Sequence, residues 1–190
     1  MNVAALKTSL SLLRTNQIVD FDISDLVIDG KRVFRMGEYA RDAMPQLKGF
    51  PRGGSVACYL EKDKNGKVDV SDEFLNWLVS TYKCQTWRQE VEPQFLSGSQ
   101  HELVATKVAK HTGKMAKDPN HKKFTQTYIA SKEGVLLDGH HGWASVALHD
   151  LINDEEHKLN VLRIDMHIDK LIERAKTFTQ IIGILPKEGV

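Results

Sequence analysis

The stretch Tyr128–Leu151 restricts this chain more than any other. Apolar Val135-Leu136-Leu137 runs into Asp138-Gly139-His140-His141-Gly142, and Trp143-Ala144-Ser145-Val146-Ala147-Leu148 follows. An apolar run that meets two glycines and then resumes with helical residues reads as a strand end, a tight polar turn and a helix start. Upstream, Tyr128–Leu137 reads as two short strands around Glu133-Gly134. Such a turn puts backbone N–H groups at a helix N-terminus, which suits an anion. Gly139 and Gly142 allow close backbone approach. Asp138 is suited to a magnesium ion carried by phosphates. His140 and His141 are suited to donating to phosphate oxygens or moving a proton. The plainer alternative is that Asp138-Gly139 only turns the chain and caps the helix, with His141 packed beneath.

The rest of the pattern mixes helices and strands, so the class is α/β or α+β. Val3, Leu6, Leu10 and Leu13, with Lys7 and Arg14 between them, predict an amphipathic N-terminal helix. Asp29-Gly30 predicts a hairpin turn within Phe21–Phe34. Ala43–Gly54, with Pro45 and Pro51, reads as loop, Ser55–Leu60 as a strand, and Asn65-Gly66 as a turn. Ser71 is the expected cap of a helix over Asp72–Lys83. After a loop at Glu92–Ser99, a helix is expected over Gln100–His111, capped by Ser97 or Ser99. The lysine-rich stretch Lys110–Lys123 reads as an exposed, mobile insertion. Leu159–Met166 reads as a strand and Asp169–Ile182 as a closing helix. With 190 residues, one domain is expected: an elaboration over 1–40, a core over 41–166 and a C-terminal helix over 167–190.

Composition excludes more than it assigns. Twenty-six basic against 25 acidic residues leave a net charge of +1, so no global field argues for nucleic acid. The lysines 107, 110, 114, 117, 122 and 123 read as a solvated face rather than a backbone-tracking strip. No apolar run reaches the length of a membrane span, and the N-terminus lacks the apolar centre of a secretory signal. A cytoplasmic location is the expectation, with Cys58 and Cys84 reduced and packed. Beyond the adjacent pair, His101, His111, His121, His149, His157 and His167 show no metal-ligand spacing, so structural zinc is not expected.

Leu136-Leu137-Asp138-Gly139-His140-His141-Gly142-Trp143-Ala144 resembles the signature box of the ParB/sulfiredoxin superfamily. Ala43-Met44-Pro45-Gln46-Leu47, Gln100-His101-Glu102 with Lys107-Val108, and Tyr128-Ile129-Ala130-Ser131 follow the order of ParB-like domains of phage type. The resemblance covers roughly residues 41–166. It implies a small mixed sheet flanked by helices, with the box binding nucleotide phosphates at a strand-to-helix junction. The superfamily includes CTP-binding partition proteins, free-serine kinases, sulfiredoxins and proposed nucleases.

Carried over, Asp138 would assist magnesium, and Gly139, His140 and His141 would contact the phosphates of ATP or another nucleoside triphosphate. Gln100, Lys107, Gly142, Trp143 and Ser145 complete the expected binding set. Glu102, or Glu92, would activate an acceptor, either a small molecule or a nucleic acid. Two features depart from the family. Gly142 stands where the box carries an arginine, a two-point phosphate clamp. His140 stands where sulfiredoxins carry their nucleophilic cysteine, which argues against sulfinic-acid repair. An enzyme of phosphate chemistry, kinase- or nuclease-like, is thus the first expectation. A non-catalytic binding module with a degenerate site is the second.

Overall fold

The computed structural model describes residues 1–17 and 22–184. In chain order it contains α1 (Val3–Arg14), β1 (Val27–Ile28), β2 (Lys31–Arg32), β3 (Lys48–Gly49), β4 (Val68–Asp69), α2 (Ser71–Tyr82), β5 (Thr86–Val91), β6 (Ser97–Gly98), α3 (Ala105–Met115), α4 (Lys122–Thr125), β7 (Thr127–Ser131), β8 (Val135–Asp138), α5 (His140–Asn153), β9 (Leu159–Ile164) and α6 (Ile168–Ile182). The principal sheet has the order β5-β9-β7-β8-β6. β9 with β7 and β8 with β6 are parallel, while β5 with β9 and β7 with β8 are antiparallel. This is the expected mixed α/β architecture.

The period of two along the central strands divides the core between the two faces of the sheet. Tyr128, Ala130, Leu136, Leu159 and Val161 face α1, α3 and α5, in a cluster that also holds Leu6, Leu10, Val108, Trp143 and Leu148. Ile129, Leu137 and Ile164 face the other way, against Phe74 and Leu78 of α2 and Leu171, Ile172 and Phe178 of α6. The central strands β7, β8 and β9 are therefore largely buried on both sides, which is why the middle of the sheet reads as nearly continuous apolar sequence. Among the described residues, no helix is long and apolar enough to cross a membrane.

The N-terminal helix, the Asp29-Gly30 hairpin, the turn at Gly134 and the two closing elements fall where the sequence puts them. Phe21, in the expected hairpin range, and residues 185–190 of the expected C-terminal segment lie outside the described residues. Other expectations need correction. Ser55–Leu60 contains a one-turn 3-10 helix, Val56–Tyr59, whose only buried residue is Ala57. Val70, not Ser71, is the N-cap of α2, and the Asp69 carboxylate accepts from both the amide and the hydroxyl of Ser71.

The helix expected from Gln100 begins only at Ala105, and neither Ser97 nor Ser99 caps it. The backbone from Gly98 to His101 is already committed to the segment before it: Gly98 N–H donates to Arg35 O, Tyr39 N–H to Ser99 O, and His101 N–H to Tyr39 O. The lysine-rich stretch is exposed and non-helical only over residues 116–120; its ends belong to α3 and α4. The polar residues there space out Thr112, Met115, His121 and Phe124, all of which are buried. The edge strand β5 has no sequence counterpart, because only Val91 of its six residues is buried.

Candidate functional site

The Asp138–Gly142 turn links the end of β8 to the start of α5. Gly139 is the helix N-cap at φ +94°, and a side chain there would lie 2.6 Å from Cδ1 of buried Tyr128. Asp138 is exposed at the strand end, and its Oδ1 accepts from the Gly139 amide at 2.7 Å. The N–H groups of the first helical turn then follow, without intrahelical acceptors.

The two histidines have separate tasks. His140 turns into the protein and is only 6% exposed. Ser99 donates its amide to His140 Nε2 at 3.2 Å, and the Ser99 hydroxyl lies 3.0 Å from the same nitrogen. A nitrogen that accepts from an amide carries no proton, so the proton sits on Nδ1, toward the Leu136 backbone. Burial drives the pKa of this imidazole down to about 4, against the opposing pull of Asp138. His140 is therefore a neutral latch between β6 and α5, not the phosphate contact or proton carrier expected from the sequence. His141 is half-buried, and its Nε2 accepts from the Val104 amide at 3.1 Å, tying the start of α5 to the N-cap of α3.

Gly142 has no room for a longer side chain. It is buried, and a Cβ there would lie 2.9 Å from Gln126 Nε2, 3.0 Å from the Tyr128 hydroxyl and 3.1 Å from Lys123 Cδ. The space that a longer side chain at position 142 would need is taken by these three side chains. Tyr128 donates to the Lys123 carbonyl at 2.7 Å, and Lys123 Nζ donates to Gln126 Oε1 at 2.9 Å. Burial lowers the pKa of the Lys123 ammonium, Lys122 lowers it further, Asp138 opposes, and Lys48 adds to the lowering. Lys107 is pushed the same way by burial, Arg41 and Lys67. Lys123 at the helix start is thus influenced by cations of two other positions, Lys122 and Lys48, with Asp138 as the opposing acid.

The other expected residues divide. Trp143 is 1% exposed, donates through Nε1 to the Pro93 carbonyl at 2.8 Å and sits edge-on to Phe34. It anchors α5 in the core and is not available to stack on a base. Ser145 is fully buried, and its hydroxyl bonds the carbonyls of His141 and Val108. Gln100 is buried beside Tyr39, and its Nε2 has no hydrogen-bond partner among the described residues. Glu102 is exposed ahead of α3. Arg163 donates to the Ser131 and Lys132 carbonyls and covers Gly134, which keeps it on the β7–β8 turn.

Sequence reasoning missed Lys123, Gln126 and Tyr128. The signal was Gly142 itself: a glycine in place of a long side chain implies that neighbours have moved over it. Two surface concavities lie away from the box, one lined by Arg88, Glu90 and Asn160, the other by Met44, Gln46, Arg52 and Lys176. Met44 of the second touches the Ser99 hydroxyl at 3.7 Å, one contact from His140. Compared with protein-family models, curated proteins and solved structures, the chain matches none.

Proposed function

We propose that this is a ParB-like phosphate-binding domain that holds a nucleoside triphosphate at the start of α5. The observation that carries this reading is Lys123. Its ammonium is half-buried, its hydrogen-bond partner is the neutral amide of Gln126, and it lies over the first turn of a helix. A cation at the positive end of a helix is unfavourable by about 0.3–1 kcal/mol, and burial and Lys122 add to the cost. An anion at the turn relieves all of these terms together. Lys123 in this way takes over the work of the family's arginine from the other side of Gly142.

The residues also suit magnesium. Asp138 is exposed and offers one carboxylate, and magnesium bound to phosphates commonly takes one or two protein carboxylates and keeps its waters. The ion would supply charge neutralisation at the phosphates. Lys123 and the first-turn amides of α5 would hold the phosphate oxygens.

The geometry favours binding over turnover. Nε2 of each histidine is taken up by a backbone amide, that of Ser99 for His140 and that of Val104 for His141, so both rings serve as ties between segments.

The test is calorimetric titration of the purified chain with ATP, CTP and GTP in magnesium, alongside an assay for released phosphate. At least one nucleotide should bind, Lys123→Gln should weaken it about tenfold or more, in line with loss of a charge-assisted hydrogen bond, and no phosphate should appear. Absence of binding, or binding indifferent to Lys123→Gln, overturns the site. Steady phosphate release overturns the non-catalytic reading.

A further inference from the structure

At the opposite end of α5 a second group of polar side chains converges. Asp154, the C-cap residue, has φ +57° and turns the chain back over the helix. Its turn brings Glu155 and His157 onto Asp150. The Asp150 carboxylate accepts from the His157 amide at 3.0 Å and lies 2.6 Å from His157 Nδ1. Glu155 Oε2 is 3.8 Å from His157 Nε2 and 3.2 Å from Nε2 of buried His149. Phe124 of α4 stacks on the His157 ring at 4.2 Å and 17°, and meets His149 edge-on at 5.3 Å, which fixes both imidazole planes.

One donor atom each from Asp150, Glu155 and His157 lies within 4.8 Å of the others. Among the described residues, no lysine or arginine forms an ion pair with either carboxylate. Two carboxylates are thus brought together with imidazoles as their partners.

We propose that Asp150, Glu155 and His157 bind a divalent transition-metal ion, zinc or a close relative. Zinc takes imidazole nitrogen and carboxylate oxygen at about 2.0–2.2 Å, so with the three donors within 4.8 Å of one another the farther ones move inward while the Asp150–His157 contact, now 2.6 Å, opens to admit the ion. His149 steadies the Glu155 carboxylate from the buried side, as outer groups do for metal-bound carboxylates. The imidazole selects against magnesium and calcium, which prefer all-oxygen surroundings. The exposed side of Glu155 leaves room for water on the ion. Histidine spacing alone does not disclose this site, because two of its three ligands are acids and the third comes from beyond the end of the helix.

The experiment is titration of the intact chain with zinc chloride alone, followed by cobalt(II), whose visible absorption reports low-coordinate nitrogen and oxygen ligation. One zinc per chain should bind in the presence of excess magnesium. Glu155→Gln, which keeps the Asp150–His157 pair and changes an exposed side chain, should weaken binding at least tenfold, and His157→Gln should do the same. His167→Gln, placed beside Glu133 and Asp169 elsewhere on the surface, should leave it unchanged. No zinc binding by the wild type, binding that survives Glu155→Gln, or binding lost in His167→Gln overturns the proposal.

Discussion

Replacing Gly139 by alanine tests how the candidate site is built. Two costs are separable there. The residue holds φ +94°, a left-handed conformation that costs an L-residue about 1–2 kcal/mol. The new Cβ would also lie 2.6 Å and 3.1 Å from Cδ1 and Cε1 of Tyr128. That ring has nowhere to go: it is fully buried, and its hydroxyl is held by the Lys123 carbonyl. Forcing extra volume against a fixed side chain costs about 1–3 kcal/mol, so Gly139→Ala should destabilise by about 2–5 kcal/mol in all. Gly30 supplies the control, because it has φ +80° and no heavy atom within 4 Å of a built Cβ. Gly30→Ala should lose only the backbone part, about 1–2 kcal/mol. Urea unfolding of both variants at neutral pH measures the difference. Equal losses would show that Tyr128 is not a fixed wall beneath the turn. A harmless Gly139→Ala would show that the helix cap is not left-handed.

Acid should weaken the fold through its buried imidazoles. His140 and His111 both have folded pKa values lowered to about 4 from 6.5, each chiefly by burial. The neutral rings therefore contribute in full above pH 6.5, and that contribution is lost as pH falls toward about 4. The slope is up to about 1.4 kcal/mol per pH unit for His140 and less for half-buried His111. Urea midpoints between pH 7 and 4.5 should drop along this course and flatten in His140→Asn; a wild-type profile with no slope contradicts the latch. Trp143→Phe should cost about 1–3 kcal/mol, since the buried Pro93 carbonyl loses its donor. Unchanged thermal stability in that variant would mean that the indole nitrogen does not bond there.

Periodicity and turn chemistry by themselves determined much of this protein. The strand–turn–helix order at residues 128–151, the hairpin at Asp29-Gly30 and the closing β9–α6 pair rest on local rules: apolar spacing, positive φ at glycine and chain reversal. Those rules act over a few residues, so they are visible in the sequence. They also located the Asp138–Gly142 turn at a helix N-terminus.

What they could not supply was direction and partnership across the fold. Which face of α5 meets the sheet decided that Trp143 and Ser145 are core, and that His140 is a latch to Ser99 some 40 residues away in sequence. Pairing with residues 35–39 held the chain extended to His101 and kept Gln100 out of the helix, against its local preference. Lys123 came to lie over Gly142 because α4 packs against α5, and Glu155 and His157 reached Asp150 because the chain turns back at Asp154. Each of these is a contact between segments, and its free energy comes from burial and hydrogen bonds that exist only once the sheet and its two helical layers have assembled.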